Sequence, residues 1–222
     1  MTPAQAISIV YEDEVLLAID KPAGLSSESG AATHPSAEAW AAEHVQRHSR
    51  RRRVYVRAVH RLDRVSSGVL LLAKSKSVLQ HLMEQFAART VRKVYLAEVV
   101  GEWPEVEGEL VHYLTRAADG RTACASDKPA AGWQVAQCAY RRVAVASGKT
   151  QLMLYPSTGR FHQLRAQLAY AGFPIIGDVL YGGPPWKANA IRLHALELWI
   201  KHPVHGHPLC LSTPPPAEWS RP

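Results

Sequence analysis

Apolar residues along this chain come in short runs, separated by clusters of turn-forming residues. "AISIVY" and "VLLAID" predict two short strands divided by the turn "EDE" and followed by the turn "KPAG". "SAEAWAAEHVQRH" predicts an alanine-rich helix with Ser36 as its N-cap. An arginine-rich stretch and "VYVRAV" lead into "GVLLLAK", a continuous apolar run of the kind a buried strand shows. In "SVLQHLMEQFAAR", Val78, Leu79, Leu82, Met83 and Phe86 recur at helical spacing and predict an amphipathic helix.

The second half is richer in strands. "RKVYLAEVVG", "ELVHYLTR", "WQVAQCAYRRVAV" and "TQLMLYP" read as strands with polar turns between them. "GRFHQLRAQLAYAG" predicts a helix that ends near Gly172, and "RLHALELWIKH" and "PLCLST" close the pattern. Many strands, few helices and no regular βα alternation indicate an α+β fold with a largely antiparallel sheet. No internal repeat interrupts this pattern. At 222 residues the chain is long enough to bury a substantial core, and it reads as one domain over 1–222 with 212–222 as an irregular tail.

Composition narrows the function classes. The 26 Lys and Arg against 19 Asp and Glu give a net charge of +7, which suits a polyanionic partner. Cys124, Cys138 and Cys210 are far apart and form no C-x-x-C pair, which disfavours a disulfide scaffold or zinc module and fits a reducing compartment. "MTPAQAISIVYEDE" has no basic start followed by an apolar core, and no apolar run approaches the roughly 20 residues needed to cross a bilayer. The expectation is a cytoplasmic protein with no membrane partner.

The charge distribution singles out one residue. Asp63 is the only acid between Glu43 and Glu84, a window that holds ten Lys and Arg, including the run Arg50, Arg51, Arg52 and Arg53. Alone, an aspartate there is more often an ion-pair partner than a catalyst, and an arginine run is most often a solvated loop. Two further segments alter the balance. "PSTGRFHQLR" gathers Gly159, Arg160, His162 and Arg165 where a strand gives way to a helix, and "RKVYLAEV" places Lys93 and Tyr95 on one face of a strand.

In order and spacing, "DKPAGL", "HRLDRVSSGVLLLAKS", "KVYLAEVVG", "GRFHQLRAQLAYAGFPIIGDVLYG" and "RLHALEL" resemble the RluA-type RNA pseudouridine synthases. The resemblance implies a mixed, mostly antiparallel sheet flanked by helices, with a basic cleft across it. It implies that Asp63 is the catalytic aspartate, that Tyr95 lies against the target base, and that Arg165 pairs with Asp63. Leu164 would help wall the pocket. His60, Arg61, Lys93, Arg160 and His162 would contact substrate or line the cleft, and Arg50–Arg53 would touch phosphates. It further implies an RNA partner, a tRNA or ribosomal RNA stem-loop, rather than DNA. No cofactor and no metal are called for, and one such domain, with no S4-type domain ahead of it, could act as a monomer.

The chemistry suits these residue types. Isomerising uridine breaks the N1–C1′ bond, turns the uracil and forms a C5–C1′ bond. Positive charge develops on the sugar, so a carboxylate beside C1′ is an apt nucleophile or stabiliser. A glycosidase needs a second acid to activate water; here water would compete, so one acid in a dry pocket suffices.

Some positions depart from the pattern. Ser66-Ser67-Gly68 stands where Thr-Ser-Gly is usual, Phe161 replaces a small hydroxyl residue, and Cys138 lies near an expected threonine. "KHPVHGHPLC" gathers His202, His205, His207 and Cys210 at a spacing that matches no zinc pattern and reads as a turn. Two rivals remain: a non-catalytic RNA-binding protein on the same fold, and a single-carboxylate N-glycosidase that leaves an abasic sugar.

Overall fold

The computed structural model describes residues 7–30, 35–50 and 53–219. The chain divides into two compact units, Met1–Arg92 with Ala195–Pro214, and Lys93–His194 with Pro215–Pro222.

In the first unit, β1 (Ser8–Glu12) and β2 (Leu16–Lys21) form a hairpin whose turn is organised by Asp13. Its carboxylate accepts from the Val15 and Leu16 amides at 2.8 and 2.7 Å. β2 pairs antiparallel with β4 (Ser67–Ala73), which also carries the two-residue β3 (Arg57–Ala58). Every residue of β4 is buried, as its unbroken apolar run predicts. β10 (Leu193–Lys201) lies beside β4, and β11 (Pro208–Ser212) closes that side antiparallel to β10. Gly68 is required at the start of β4: it has φ +114°, and a Cβ there would run into the Ala195 backbone.

Two helices flank these strands. α1 (Ala37–Arg47) starts where predicted, with Ser36 Oγ accepting from the Ala39 amide at 3.1 Å. α2 (Lys76–Ala87) is capped in the same way by Ser75 and packs Val78, Leu82, Leu79 and Phe86 against Leu16, Leu71, Leu198 and Leu211. Met83, expected on this apolar stripe, is instead exposed. The buried stripe is narrower than the periodicity suggests.

The second unit is an antiparallel sheet in the order β5-β9-β8-β6-β7. It comprises β5 (Arg92–Val100), β6 (Glu107–Arg116), β7 (Ala123–Ser126), β8 (Gln134–Ala146) and β9 (Lys149–Pro156). The strand β7 has no signal in the sequence: "ACAS" is short, has no apolar alternation and gains its place only by pairing with β6. α3 (Gln163–Tyr170) begins later than expected, because residues 159–162 form a turn and His162 adopts a left-handed conformation, φ +50°. Gln163 through Leu168 are all buried, so this helix lies inside its unit rather than on a surface. Trp219, in the irregular tail, is buried edge-on to His194 at 6.1 Å. Both units thus show the α+β character and the mostly antiparallel pairing read from the sequence.

Candidate active site

Asp63 sits half-buried in a loop of the first unit that is tied down on every side. Ser27 Oγ accepts from the Leu62 amide at 3.0 Å and donates to the Leu62 carbonyl at 2.8 Å. The Ser66 amide closes a turn on the Asp63 carbonyl at 3.0 Å, and the Gly24 amide donates to the Arg64 carbonyl at 2.6 Å. The Lys21 ammonium then joins both halves, donating to the carbonyls of Pro22 (3.1 Å), Leu25 (2.8 Å) and Ser66 (2.7 Å). Those three acceptors take the full donor set of a lysine. Burial pushes Lys21 down to about 7, against the pull of the Asp63 and Asp20 carboxylates.

Lys21 is absent from the residues the sequence singles out, although its motif is among them. A lysine at the inward-facing end of an apolar strand, directly before a proline, is the available signal.

Two of the arginines that flank Asp63 in the sequence meet acids from elsewhere in the first unit. Arg61 is exposed and pairs with Glu28 at 3.6 Å. Arg57 reaches the buried Glu38 at 3.4 Å, and Glu38 also accepts from the Ala58 amide at 2.9 Å. His60 accepts from the Leu71 amide through Nε2 at 3.2 Å and stacks on Phe86, so its ring helps hold β4 and α2. Arg50 and Arg53 are exposed, while Arg51 and Arg52 lie outside the described residues.

In the second unit the structure brings together Arg165, His162 and two residues the sequence did not flag, Asp178 and Tyr181. Arg165 donates through Nε and Nη2 to the two carboxylate oxygens of Asp178 at 2.7 and 2.8 Å, and both residues are buried. Its Nη1 meets His162 Nε2 at 3.1 Å, and Tyr181 lies with its ring centroid 4.9 Å from the guanidinium carbon. An arginine can only donate, so His162 Nε2 is bare and Nδ1 carries the proton. That Nδ1–H points to the Tyr181 hydroxyl at 3.0 Å, which also accepts from the Ala123 amide at 2.7 Å.

The preceding turn is woven into β8. Gln163 Oε1 accepts from Thr158 Oγ1 (2.7 Å) and from the Arg160 amide (3.0 Å), and its amide nitrogen donates to the Gln137 carbonyl. Arg160 Nε donates to the Val135 carbonyl at 3.0 Å. Lys93 donates to the Thr158 carbonyl at 3.1 Å, and burial lowers its pKa. Cys138, nearby, is pushed up to about 12 by burial and stays a thiol. Leu164 is buried at the start of α3, and Tyr95 is half-buried on β5 opposite Leu154.

Phe161 is clasped on both sides. His162 stacks on it with centroids 3.8 Å apart, and the exposed Arg116 places its guanidinium 4.0 Å from the ring centroid. In the first unit, His202 has both ring nitrogens engaged within its turn: Nε2 donates to Asp13 at 2.8 Å, and Nδ1 accepts from the Val204 and His205 amides.

Chemically, the first unit offers one carboxylate on a braced loop, and the second offers a braced guanidinium beside a neutral imidazole. Residues 15–170 match the family described as RNA pseudouridylate synthase. The dual-specificity RNA pseudouridine synthase RluA of Escherichia coli (strain K12) is 32% identical, covering 93% of this chain and 92% of that protein. The ribosomal large subunit pseudouridine synthase C of Vibrio vulnificus (strain CMCP6) is 31% identical over 93% of this chain, which spans 65% of that relative's length. Among solved structures, human RNA pseudouridylate synthase domain containing 4 matches with a TM-score of 0.76, covering 95% of this chain and 89% of that one at 23% identity, a likeness of fold.

Proposed function

This chain belongs to the RNA pseudouridylate synthase family, and from that premise we propose that it isomerises specific uridines to pseudouridine in structured RNA, with Asp63 as the catalytic carboxylate. Curated relatives include enzymes named for tRNA and for the large ribosomal subunit. In this reading the chain acts on one or both of these RNA classes, as a monomer in the cytoplasm.

The observation that carries the reading is the placement of Asp63: a half-buried carboxylate in a loop fixed by Ser27, Gly24 and Lys21. A braced carboxylate keeps its geometry when a flipped nucleotide arrives, so little reorganisation remains for the chemical step. At C1′ it stabilises the sugar as the N1 bond breaks. Tyr95 holds the detached uracil by stacking while it turns, and Arg165 is proposed to pair with Asp63 and orient it. Forming the C5–C1′ bond then expels the C5 hydrogen as a proton. Extruding the nucleotide costs a few kcal/mol, which phosphate contacts along the basic surface offset.

Tritium release from RNA labelled at uridine C5 tests the reading. Wild type should release tritium from tRNA or ribosomal RNA, and Asp63→Asn should release none while still binding. Wild-type rates from Asp63→Asn would end the mechanism, and free uracil among the products would point to an N-glycosidase. Replacing Arg50–Arg53 with alanine should flatten the dependence of log affinity on log salt by roughly 0.7–0.9 for each phosphate no longer neutralised. An unchanged slope would remove those arginines from the RNA contacts.

A further inference from the structure

We propose that Arg116 is an RNA-contacting residue whose guanidinium, laid on Phe161, forms a stacking platform for an unpaired nucleobase. This rests on the reading above only in that the ligand is RNA, and every residue it uses lies in the second unit.

The platform is a column of planar groups. His162 forms its base, and Phe161 stacks on that imidazole with centroids 3.8 Å apart and planes 18° from parallel. Arg116 caps the column, with its guanidinium carbon 4.0 Å from the Phe161 centroid. The imidazole takes one face of Phe161, so the arginine holds the other. A fork pointing into the ring from there would bring a nitrogen to within about 2.7 Å of the centroid, inside contact distance, so the guanidinium lies across the ring. Arg116 is exposed and Phe161 half-buried, so the column ends at the surface.

Both ends of the column are fixed. Arg116 closes β6 opposite Ala123 of β7. The turn beyond it is shut by backbone bonds, from the Ala117 amide to the Thr122 carbonyl and from the Gly120 amide to the Ala117 carbonyl, each 2.9 Å long. Asp119, the acid of that turn, accepts from the Arg121 amide at 2.8 Å. At the base, the Tyr181 hydroxyl meets His162 Nδ1 at 3.0 Å and the Ala123 amide at 2.7 Å, which ties the imidazole to the strand beside Arg116. Phe161 packs against the apolar cluster that holds Leu114 and Ala166.

This arrangement suits a base better than a phosphate alone. A lysine could meet phosphate as a point charge but offers no plane. A guanidinium held flat on a ring is already ordered, and it presents a second face on which unpaired RNA bases stack. A small residue in place of Phe161 would leave that plane without support. The net charge of +7 adds attraction for the backbone that carries the base.

The test uses the full chain and two stem-loop RNAs with the same stem and the same number of phosphates. One has an all-adenine loop, and the loop nucleotides of the other are abasic. Filter binding gives the affinity of wild type, Arg116→Lys, Phe161→Leu and the double variant for each. Wild type should prefer the adenine loop by at least about tenfold, the scale of one stacked base. Arg116→Lys should lower that preference by about tenfold while affinity for the abasic loop and its salt slope stay as in wild type, because the charge is kept and the plane is lost. Phe161→Leu should lower the preference by about threefold or more, and adding it to Arg116→Lys should change little further, because both act on one platform.

A wild-type preference in Arg116→Lys, or equal losses on both RNAs, would overturn the inference. So would a wild type that binds the two stem-loops equally. If Phe161→Leu fails to fold, Arg116→Lys, at an exposed position, decides the question alone. Tritium release from tRNA and ribosomal RNA separates this inference from the isomerase reading. A wild type that releases none, yet distinguishes the loops through Arg116, would end that reading and keep the platform. Release by a wild type whose Arg116→Lys variant keeps the full preference would end the platform alone.

Discussion

Lys21 in the first unit and Arg165 in the second are both buried cations, held by opposite means. Lys21 gives its three protons to backbone carbonyls, and its nearest acids act on it only through space. Arg165 gives two of its protons to a single buried carboxylate. The ammonium therefore feels its desolvation directly, and its pKa falls to about 7. The guanidinium cannot lose its charge and has a counter-ion beside it. A lysine bound to carbonyls braces a loop and can become neutral. An arginine bound to a carboxylate keeps a fixed charge in a fixed direction.

The sharpest way to break this contrast is to remove the counter-ion. Asp178→Ala should cost about 3–5 kcal/mol of stability in urea unfolding, since it strips a buried cation of its adjoining acid. Combining it with Arg165→Met should restore part of that loss. A double variant no more stable than Asp178→Ala would mean that the uncompensated charge is not what costs the stability.

The next effect concerns pH. The unfolded chain keeps the Lys21 proton up to about 10.5, whereas the folded chain releases it near 7. Between these values the unfolded state binds more protons, so the contribution of Lys21 to stability rises as pH climbs from 7 toward 10.5. It is lost again as pH falls back through 7. Paired denaturant melts of wild type and Lys21→Met should diverge over this window by a few kcal/mol, with the methionine variant lacking the rise. Parallel pH profiles would show that Lys21 stays charged throughout.

The smallest expected effect sharpens the other side. Tyr181→Phe keeps the ring beside Arg165 but removes the acceptor shared by His162 Nδ1 and the Ala123 amide. It should cost about 0.5–1.5 kcal/mol in thermal or urea unfolding and leave the alkaline rise due to Lys21 intact. A loss several times larger would assign the hydroxyl a role in holding Arg165 that its hydrogen bonds do not suggest.

Elements governed by local rules were legible in the sequence. Ser36 caps α1 as expected, and "GVLLLA" is the fully buried strand its composition announced. Where local preference competed with packing, the reading slipped. "ACAS" becomes a strand only because β6 offers it hydrogen-bond partners. The α3 segment begins at Gln163 rather than Gly159 because Gln163 and Thr158 tie the preceding turn to β8. Met83 fits the helical period yet faces outward, because the stripe that α2 buries is narrower than its apolar face.

The candidate site divides along the same line. The sequence by itself determined the residue types and their motif order: a lone aspartate among arginines, a tyrosine on a strand, an arginine at the entrance to a helix. Only the tertiary structure decided which charges meet. It joined Arg165 to Asp178, 13 positions away, and Ser27 to Leu62, 35 positions away, and it supplied Glu28 and Glu38 to arginines that look unopposed along the chain. Helical period, strand alternation and capping act between residues a few positions apart, so they leave their mark in the sequence. Hydrogen bonds and ion pairs depend on ångströms in space and are indifferent to separation along the chain, so they appear only once the chain has folded.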